Sequence, residues 1–311
     1  MKAVQISSYG GNEVLEINEN ASKPIPARNQ LLIKVEAASL NPVDKAIRAG
    51  YLKEIVPLPL PTTLGGDFSG IIKEVGEGVS EFKIGDHVYG QGNTLSGGSG
   101  SFAEFLVAND INTAHKPRNI NFIEAAALPI AGVSALQALE ENINIKPGQK
   151  ILIHGGAGGI GSIAIQIAKF HGAFVAATVS KDDIDFAKKI GADQVIDYRN
   201  ESFEEILREF DAILDTVGGD ITKKSFKVLR KGGVLVSMLG QPDKELVNKY
   251  GIKAIGQNTN TNKQNLDRLT KLIDSGNIKV IIDKVFPIIQ IRDAFLYLEQ
   301  GHPKGKVVLK C

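Results

Sequence analysis

Residues 149–181 constrain the fold more than any other stretch. Gln149-Lys150-Ile151-Leu152-Ile153-His154 reads as a short buried strand, and Gly155-Gly156-Ala157-Gly158-Gly159-Ile160-Gly161 as a tight glycine turn. Residues 162–169 form an apolar helical run and residues 173–178 a second strand. Together they make one β-α-β unit, the crossover that parallel strands require. In such a unit the spacing Gly156-x-Gly158-x-x-Gly161 has a physical purpose. One glycine permits the turn, one lets the backbone approach a pyrophosphate, and one lets helix and strand pack closely. The phosphates would sit at the helix N-terminus, where free N–H groups and the helix dipole favour anions. The candidate cofactor contacts are therefore Gly156, Ala157, Gly158, Gly159, Ile160 and Gly161. The plain alternative is a glycine-rich turn that binds nothing. The strand before it and the helix and strand after it count against that.

Before this unit the chain is β-rich. Residues 31–37, 70–76, 83–89 and 101–107 lie between Pro, Gly and Asn and predict short strands of a small barrel or sandwich. Residues 90–100 hold five glycines and two serines, the composition of a mobile surface loop. From about Asn121 the pattern changes. Residues 122–128 and 133–139 read as helices, and strands at 194–197, 212–215, 234–237 and 253–256 then alternate with helices. Such alternation predicts a parallel sheet covered on both faces. The polar, Asn-rich run 257–264 interrupts it. After a helix at 266–274, strands at 280–286 and 306–309 close the chain. No helix is read between them, so they are assigned back to the first domain. The expected class is α/β, with a β-rich domain over 1–120, a dinucleotide-binding domain over 121–262, and a return helix and strands over 263–311 that complete the first domain. A chain of 311 residues is long enough for two cores.

Composition excludes several functions. With 36 basic and 35 acidic side chains, bulk charge draws the chain neither to nucleic acid nor to a membrane. One cysteine, Cys311, excludes an intramolecular disulfide and a thiolate metal cluster. The five histidines show no metal spacing: His87 and His154 read as structural, His115, His171 and His302 as surface residues. Residues 1–6 alternate like a strand and lack the apolar run of a signal peptide. The longest uncharged run, 151–168, is too interrupted by glycine for a membrane helix. A soluble, cytoplasmic protein without metal is expected.

Several stretches, in this order, resemble the medium-chain dehydrogenase/reductase superfamily. They are Leu40-Asn41-Pro42-Val43-Asp44, Gly66-Asp67-Phe68-Ser69-Gly70, Gly85-Asp86-His87-Val88, Gly100-Ser101-Phe102-Ala103-Glu104, Ala126-Ala127-Leu128-Pro129, Ala131-Gly132-Val133-Ser134-Ala135, the glycine turn, Gly191-Ala192-Asp193, Asp215-Thr216-Val217-Gly218-Gly219 and Gly305-Lys306-Val307-Val308. The resemblance runs through nearly the whole length. It implies a doubly wound parallel Rossmann sheet plus a β-rich GroES-like catalytic domain formed by the N-terminal part and the C-terminal tail. Within the superfamily the chain resembles the zinc-free, zeta-crystallin-like quinone oxidoreductases. Zinc-dependent relatives place a Cys at the position of Asn41 and a His at that of Gly66. An amide is a poor zinc ligand and glycine offers none. Without a Lewis acid the substrate is polarised by hydrogen bonds alone, which suits conjugated carbonyl acceptors.

The resemblance implies hydride transfer from NADPH to a quinone or to the β-carbon of an α,β-unsaturated carbonyl compound, with the protein supplying position and donors. Asn41 would donate to the substrate oxygen or the nicotinamide ribose; its plain alternative is a turn amide before Pro42. Lys45 and Tyr51, in the same loop, are candidates to stabilise or protonate an enolate, with ordinary surface residues as the alternative. Relatives often carry that lysine where this chain has Ala46. Asp44 reads as stabilising the loop by local hydrogen bonds. Ser134 belongs to the stretch that backs the nicotinamide, where a closely packed small-residue helix is the alternative. An NAD enzyme has Asp or Glu about twenty residues past the first glycines. Counting from Gly156, that position is the uncharged Thr178, and Ser180, Lys181 and Tyr198 would receive the 2′-phosphate of NADP(H). Asp182, Asp183 and Asp185 work against this. Leu239, Gly240 and Lys306 complete the implied cofactor contacts. Relatives commonly pair edge strands of the nucleotide-binding sheet, so a homodimer through residues 252–256 is expected. Two other readings stay open: an enoyl-thioester reductase of similar fold, and a cofactor-binding protein with a structural or single-stranded nucleic-acid role. The near-neutral charge gives the last no support. Substrate choice depends on residues 51–60, 90–100 and 257–262.

Overall fold

Strand-forming runs punctuated by proline and glycine dictate the first half of the chain, described here from a computed structural model covering residues 1–55, 57–92 and 98–311. Residues 93–97 of the glycine-rich loop, and Val56 of the 51–60 stretch, lie outside the described residues. The chain opens with β1 (Ala3–Ile6), β2 (Glu16–Asn18) and the long β3 (Gln30–Ser39), followed by helix α1 (Pro42–Arg48). Strands β4 (Thr62–Thr63), β5 (Asp67–Val75), β6 (His87–Gln91), β7 (Phe105–Asn109) and β8 (Thr113–His115) come next. β1 holds β2 and β4 in a three-stranded sheet. β3 pairs antiparallel with β5 and β7, and β5 leads through β6 to β8. β6 starts at His87 rather than at 83, because Lys83 to Asp86 is a turn in which the Asp86 carboxylate takes the Lys83 N–H at 3.0 Å. Helix α2 (Phe122–Ala126) packs on β3 and β5. Its start is a reciprocal cap, Asn121 N–H to Glu124 at 2.9 Å and Glu124 N–H to Asn121 at 3.0 Å.

Helix α3 (Pro129–Leu136) and a π-helical segment, Gln137–Ile143, precede the parallel sheet. The sheet's elements are β9 (Lys150–His154), α4 (Gly159–Phe170), β10 (Phe174–Val179), α5 (Ile184–Lys189), β11 (Gln194–Asp197), α6 (Phe203–Ile206), β12 (Phe210–Asp215), α7 (Asp220–Ser225), β13 (Leu229–Ser237), α8 (Lys244–Tyr250) and β14 (Lys253–Gly256). All six strands are parallel, in the order β11-β10-β9-β12-β13-β14. This is the doubly wound order, with its switch point beside the first strand, β9. Helices on both faces leave Ile151, Leu152 and Ile153 fully buried, which is why β9 reads as a continuous apolar run instead of an alternating one.

The chain ends with α9 (Lys263–Asp274), β15 (Ile282–Pro287), α10 (Ile291–Gln300) and β16 (Lys306–Lys310). β15 and β16 are parallel neighbours joined by α10, so the expectation of no helix between them is corrected. The signal lay in Ile291, Ala294 and Phe295, buried at helical spacing on one face. β16 then pairs antiparallel with β3, which returns the tail to the first sheet.

Two units result. One comprises residues 1–130, 261–274 and 280–311, the other residues 131–260 and 275–279. The first runs beyond residue 120 because α2 lies on its sheet. α9 joins it through Tyr89, whose hydroxyl donates to the Leu266 carbonyl at 2.6 Å, and through Asp274, which takes the Arg118 N–H at 2.8 Å. Leu31, Ile33, Phe68, Phe102 and Phe295 lie in the first unit's core, and Leu152, Ile213, Phe226 and Leu235 in the second's. Among the described residues no helix is long and apolar enough to cross a membrane.

Candidate functional site

β9 ends at His154, and α4 begins just after Gly158. The residue with positive φ is Gly155 at 71°, not one of the three spaced glycines. A Cβ on Gly161 would stand 2.2 Å from the Gly155 carbonyl oxygen, and one on Gly156 would meet the Ala177 side chain of β10 at 2.9 Å. On Gly158 it would meet only the Gly155 oxygen, at 3.4 Å. Gly156 thus packs the turn on β10, Gly161 seats α4 against the turn, and Gly158 leaves the outer side bare. The first N–H groups of α4 have no partner within the helix. A bare, donor-rich cradle at a helix N-terminus fits a dinucleotide pyrophosphate.

The remaining second-unit candidates lie mostly at the carboxyl ends of these strands, where ligands bind in sheets of this kind. β10 runs to Val179, so the strand's end is Ser180 and not Thr178. Thr178 is 4% exposed and its hydroxyl faces His154 Nδ1 at 3.0 Å. It is an internal link between β10 and β9, with its hydroxyl turned toward His154. Ser180 donates its hydroxyl to Asp183 at 2.6 Å, while Lys181 and Tyr198 are exposed. Leu239 and Gly240 follow β13, both exposed, with Gly240 at φ 103°. Ser134 is buried in α3, its hydroxyl 2.6 Å from that of Thr259. Sequence reasoning missed Arg199, whose guanidinium stands 5.7 Å from the Tyr198 ring centroid. A hydrogen bond to Tyr198, and then the charges of Asp182 and Asp197, raise its pKa. A cation directly after Tyr198 was the available signal.

In the first unit a buried charged cluster surrounds Asn41, which caps α1 and is 3% exposed. Its Nδ2 donates to Asp67 at 3.0 Å, and its Oδ1 accepts from Lys306 Nζ. The Asn41 N–H donates to Asp44 at 2.8 Å. Lys306 also donates to the Leu40 carbonyl at 2.9 Å. Asp67, fully buried, accepts from the Ile130 N–H at 3.1 Å and from the Ser39 hydroxyl at 3.3 Å. Burial raises the Asp67 carboxyl against the pull of Lys306 and these donors. Burial likewise raises Asp44 to about 7, with the Asn41 N–H and Lys306 opposing and Asp67 assisting. Lys306 is lowered by burial and held up by the two carboxylates.

The cluster bears on two sequence assignments. Lys306 is enclosed, 6% exposed, and its ammonium holds the Leu40 carbonyl and Asn41 inside the first unit. The Asn41 amide is occupied at both ends, so it is a fixed post. Lys45 is exposed and Tyr51 is 76% exposed; neither side chain belongs to the cluster. The sequence reading assigns Asp67 no role, although a carboxylate opening a buried strand demands partners.

Two family profiles match the chain: "Alcohol dehydrogenase GroES-like domain" over residues 27–118 and "Zinc-binding dehydrogenase" over residues 190–309. The chain is 39% identical over 317 residues to a 2-methylene-furan-3-one reductase of Solanum lycopersicum, with 99% of this chain and 79% of that protein covered. It is 38% identical, with the same coverage, to an NADPH-dependent alkenal/one oxidoreductase, chloroplastic, of Arabidopsis thaliana. Its fold matches the quinone oxidoreductase of Coxiella burnetii with a TM-score of 0.92 at 36% identity, covering 100% of this chain and 99% of the other.

Proposed function

The chain belongs to the medium-chain dehydrogenase/reductase superfamily, in its zeta-crystallin-like quinone oxidoreductase group, and we propose that it transfers hydride from NADPH to a quinone or an α,β-unsaturated carbonyl compound. The observation that carries this is the glycine turn, bare at Gly158 and seated on α4 at Gly161, at the carboxyl end of a parallel sheet. Bound there, NADPH supplies the hydride. The turn and the first N–H groups of α4 hold the pyrophosphate. Lys181, Tyr198 and Arg199 receive the 2′-phosphate, with Arg199 offsetting the Asp182 charge.

Lys306 and Asp67 hold Asn41 in one orientation, so the α1 loop is pre-organised before substrate arrives. Asp44 and Lys306 are enclosed and cannot exchange protons with a substrate. The proton that completes reduction therefore comes from the exposed pair Tyr51 and Lys45. The reaction is zinc-independent: position 41 offers an amide already engaged by Lys306 and Asp67, and position 66 a glycine. A cytoplasmic homodimer joined through β14 completes the reading, since β14 is an edge of the parallel sheet.

NADPH consumption with 1,4-benzoquinone, 9,10-phenanthrenequinone, a linear enone and a crotonyl thioester, with and without chelator, tests it. Turnover of quinone or enone, unchanged by chelator, is expected. Turnover of the thioester alone moves the protein to the enoyl-thioester reductases. Tight NADPH binding with no turnover leaves a non-enzymatic role.

A further inference from the structure

His154 is the last residue of β9, 1% exposed, packed edge-on against Phe203 at 4.5 Å between ring centroids. Its Nδ1 lies 3.0 Å from the Thr178 hydroxyl and its Nε2 3.0 Å from the Ser225 hydroxyl. The proton positions follow from the neighbours. Ser225 donates its only hydrogen to the Ile221 carbonyl at 2.7 Å, so its oxygen accepts from His154, which therefore carries its proton on Nε2. Nδ1 is then an acceptor and takes the Thr178 O–H. That leaves the Thr178 oxygen to accept the Gly155 N–H, at 3.4 Å, while the Thr178 carbonyl accepts the Gly156 N–H at 3.0 Å. One hydrogen-bonded chain thus runs from α7 through His154 and the Thr178 hydroxyl to the Gly155 N–H, while the Thr178 backbone holds the next N–H of the glycine turn. The turn after β12 is tied to the same residue, since Thr216 donates to the His154 carbonyl at 2.7 Å.

The other tautomer breaks this order. An N–H at Nδ1 would compete with the Gly155 N–H for the Thr178 oxygen, and a bare Nε2 would face the Ser225 lone pairs. The imidazole is held neutral because burial, outweighing the facing carboxylates Asp215 and Glu204, lowers it to about 4.

We propose that His154 is a positioning residue for the dinucleotide: through its Nε2–H tautomer, fixed by Ser225, it directs the Thr178 hydroxyl so that the Gly155 N–H is held and the glycine turn keeps its binding shape. The inference rests on the reading that this turn holds NADPH.

The test combines NADPH titration at equilibrium with 15N spectra of labelled histidine in the cofactor-free protein. Thr178→Val loses about tenfold in NADPH affinity and Thr178→Ser recovers most of it. Ser225→Ala, remote from the turn, weakens binding severalfold and mixes the His154 tautomers. The double variant Thr178→Val/Ser225→Ala binds no more weakly than Thr178→Val alone, since one chain cannot be broken twice. In the wild type His154 shows a protonated Nε2 and an unprotonated Nδ1, an observation that stands even if Thr178→Val fails to fold. A wild type protonated on Nδ1, or tight wild-type binding matched by Thr178→Val, overturns the inference alone. A wild type that binds no NADPH removes the cofactor reading and this inference with it.

Discussion

Replacing Lys306 by Met tests the buried cluster most sharply. The side chains are similar in length, so packing is largely kept while the ammonium is lost. Three groups are then stranded: the Leu40 carbonyl, Asn41 Oδ1 and the Asp67 carboxylate, which loses its counter-charge. Breaking one side of a buried charge pair costs about 3–5 kcal/mol, a large part of the stability of an ordinary domain. The loss depends on pH. Lys306 lowers the pKa of both Asp44 and Asp67, so its removal raises both. A carboxyl raised in the folded state stabilises at a pH below its unfolded value of about 3.9 and loses that contribution as pH rises. The deficit of Lys306→Met is therefore smallest near pH 5 and largest near pH 8. Urea unfolding at both values, with hydrogen exchange of the β3 and β5 amides to localise the loss to the first unit, measures it. Adding Asp67→Asn removes the unpaired charge and recovers part of the stability. A deficit under about 1 kcal/mol at pH 8, or one independent of pH, would refute the reasoning.

Asp44→Asn makes the fall of stability between about pH 4 and 7 shallower, leaving the part that Asp67 contributes. In the wild type Asp44 is raised from 3.8 to about 7, so stability falls across that window as pH rises, by at most about 1.4 kcal/mol per pH unit; unfolding midpoints at either end check it. Gly161→Ala drives a Cβ to within 2.2 Å of the Gly155 oxygen, and forced repacking of about 1–3 kcal/mol lowers NADPH affinity about fivefold or more with far-ultraviolet dichroism retained. Lys181→Ala and Arg199→Ala each lower kcat/KM for NADPH about threefold and leave that for NADH unchanged, as steady-state kinetics with both cofactors would show.

What could be read in the sequence was periodic or local. β9, the glycine turn and α4 follow one another within a single uncharged run, and the strands after them carry the same buried pattern. The charged cluster is of another kind: Lys306 and Asn41 are 265 residues apart, and only the return of β16 beside β3 brings them together. No window of sequence contains that pairing, so the sequence offers Lys306 only as an implied cofactor contact. Thr178 is a related case. Residue counting gives distance along a strand but not the face a side chain takes, and on β10 that face is the one toward His154. α10 was missed because its charged outer face hid the spacing of Ile291, Ala294 and Phe295.

The most direct test of the proposed activity follows the transferred hydrogen. Enone reduced by the protein with NADPH deuterated at C4 is recovered and its label located by NMR. The account predicts deuterium on the β-carbon and none on the α-carbon, with the α-hydrogen drawn from solvent through Tyr51 or Lys45. Product without label, or label lost to solvent, would contradict hydride transfer from NADPH to the conjugated carbonyl compound.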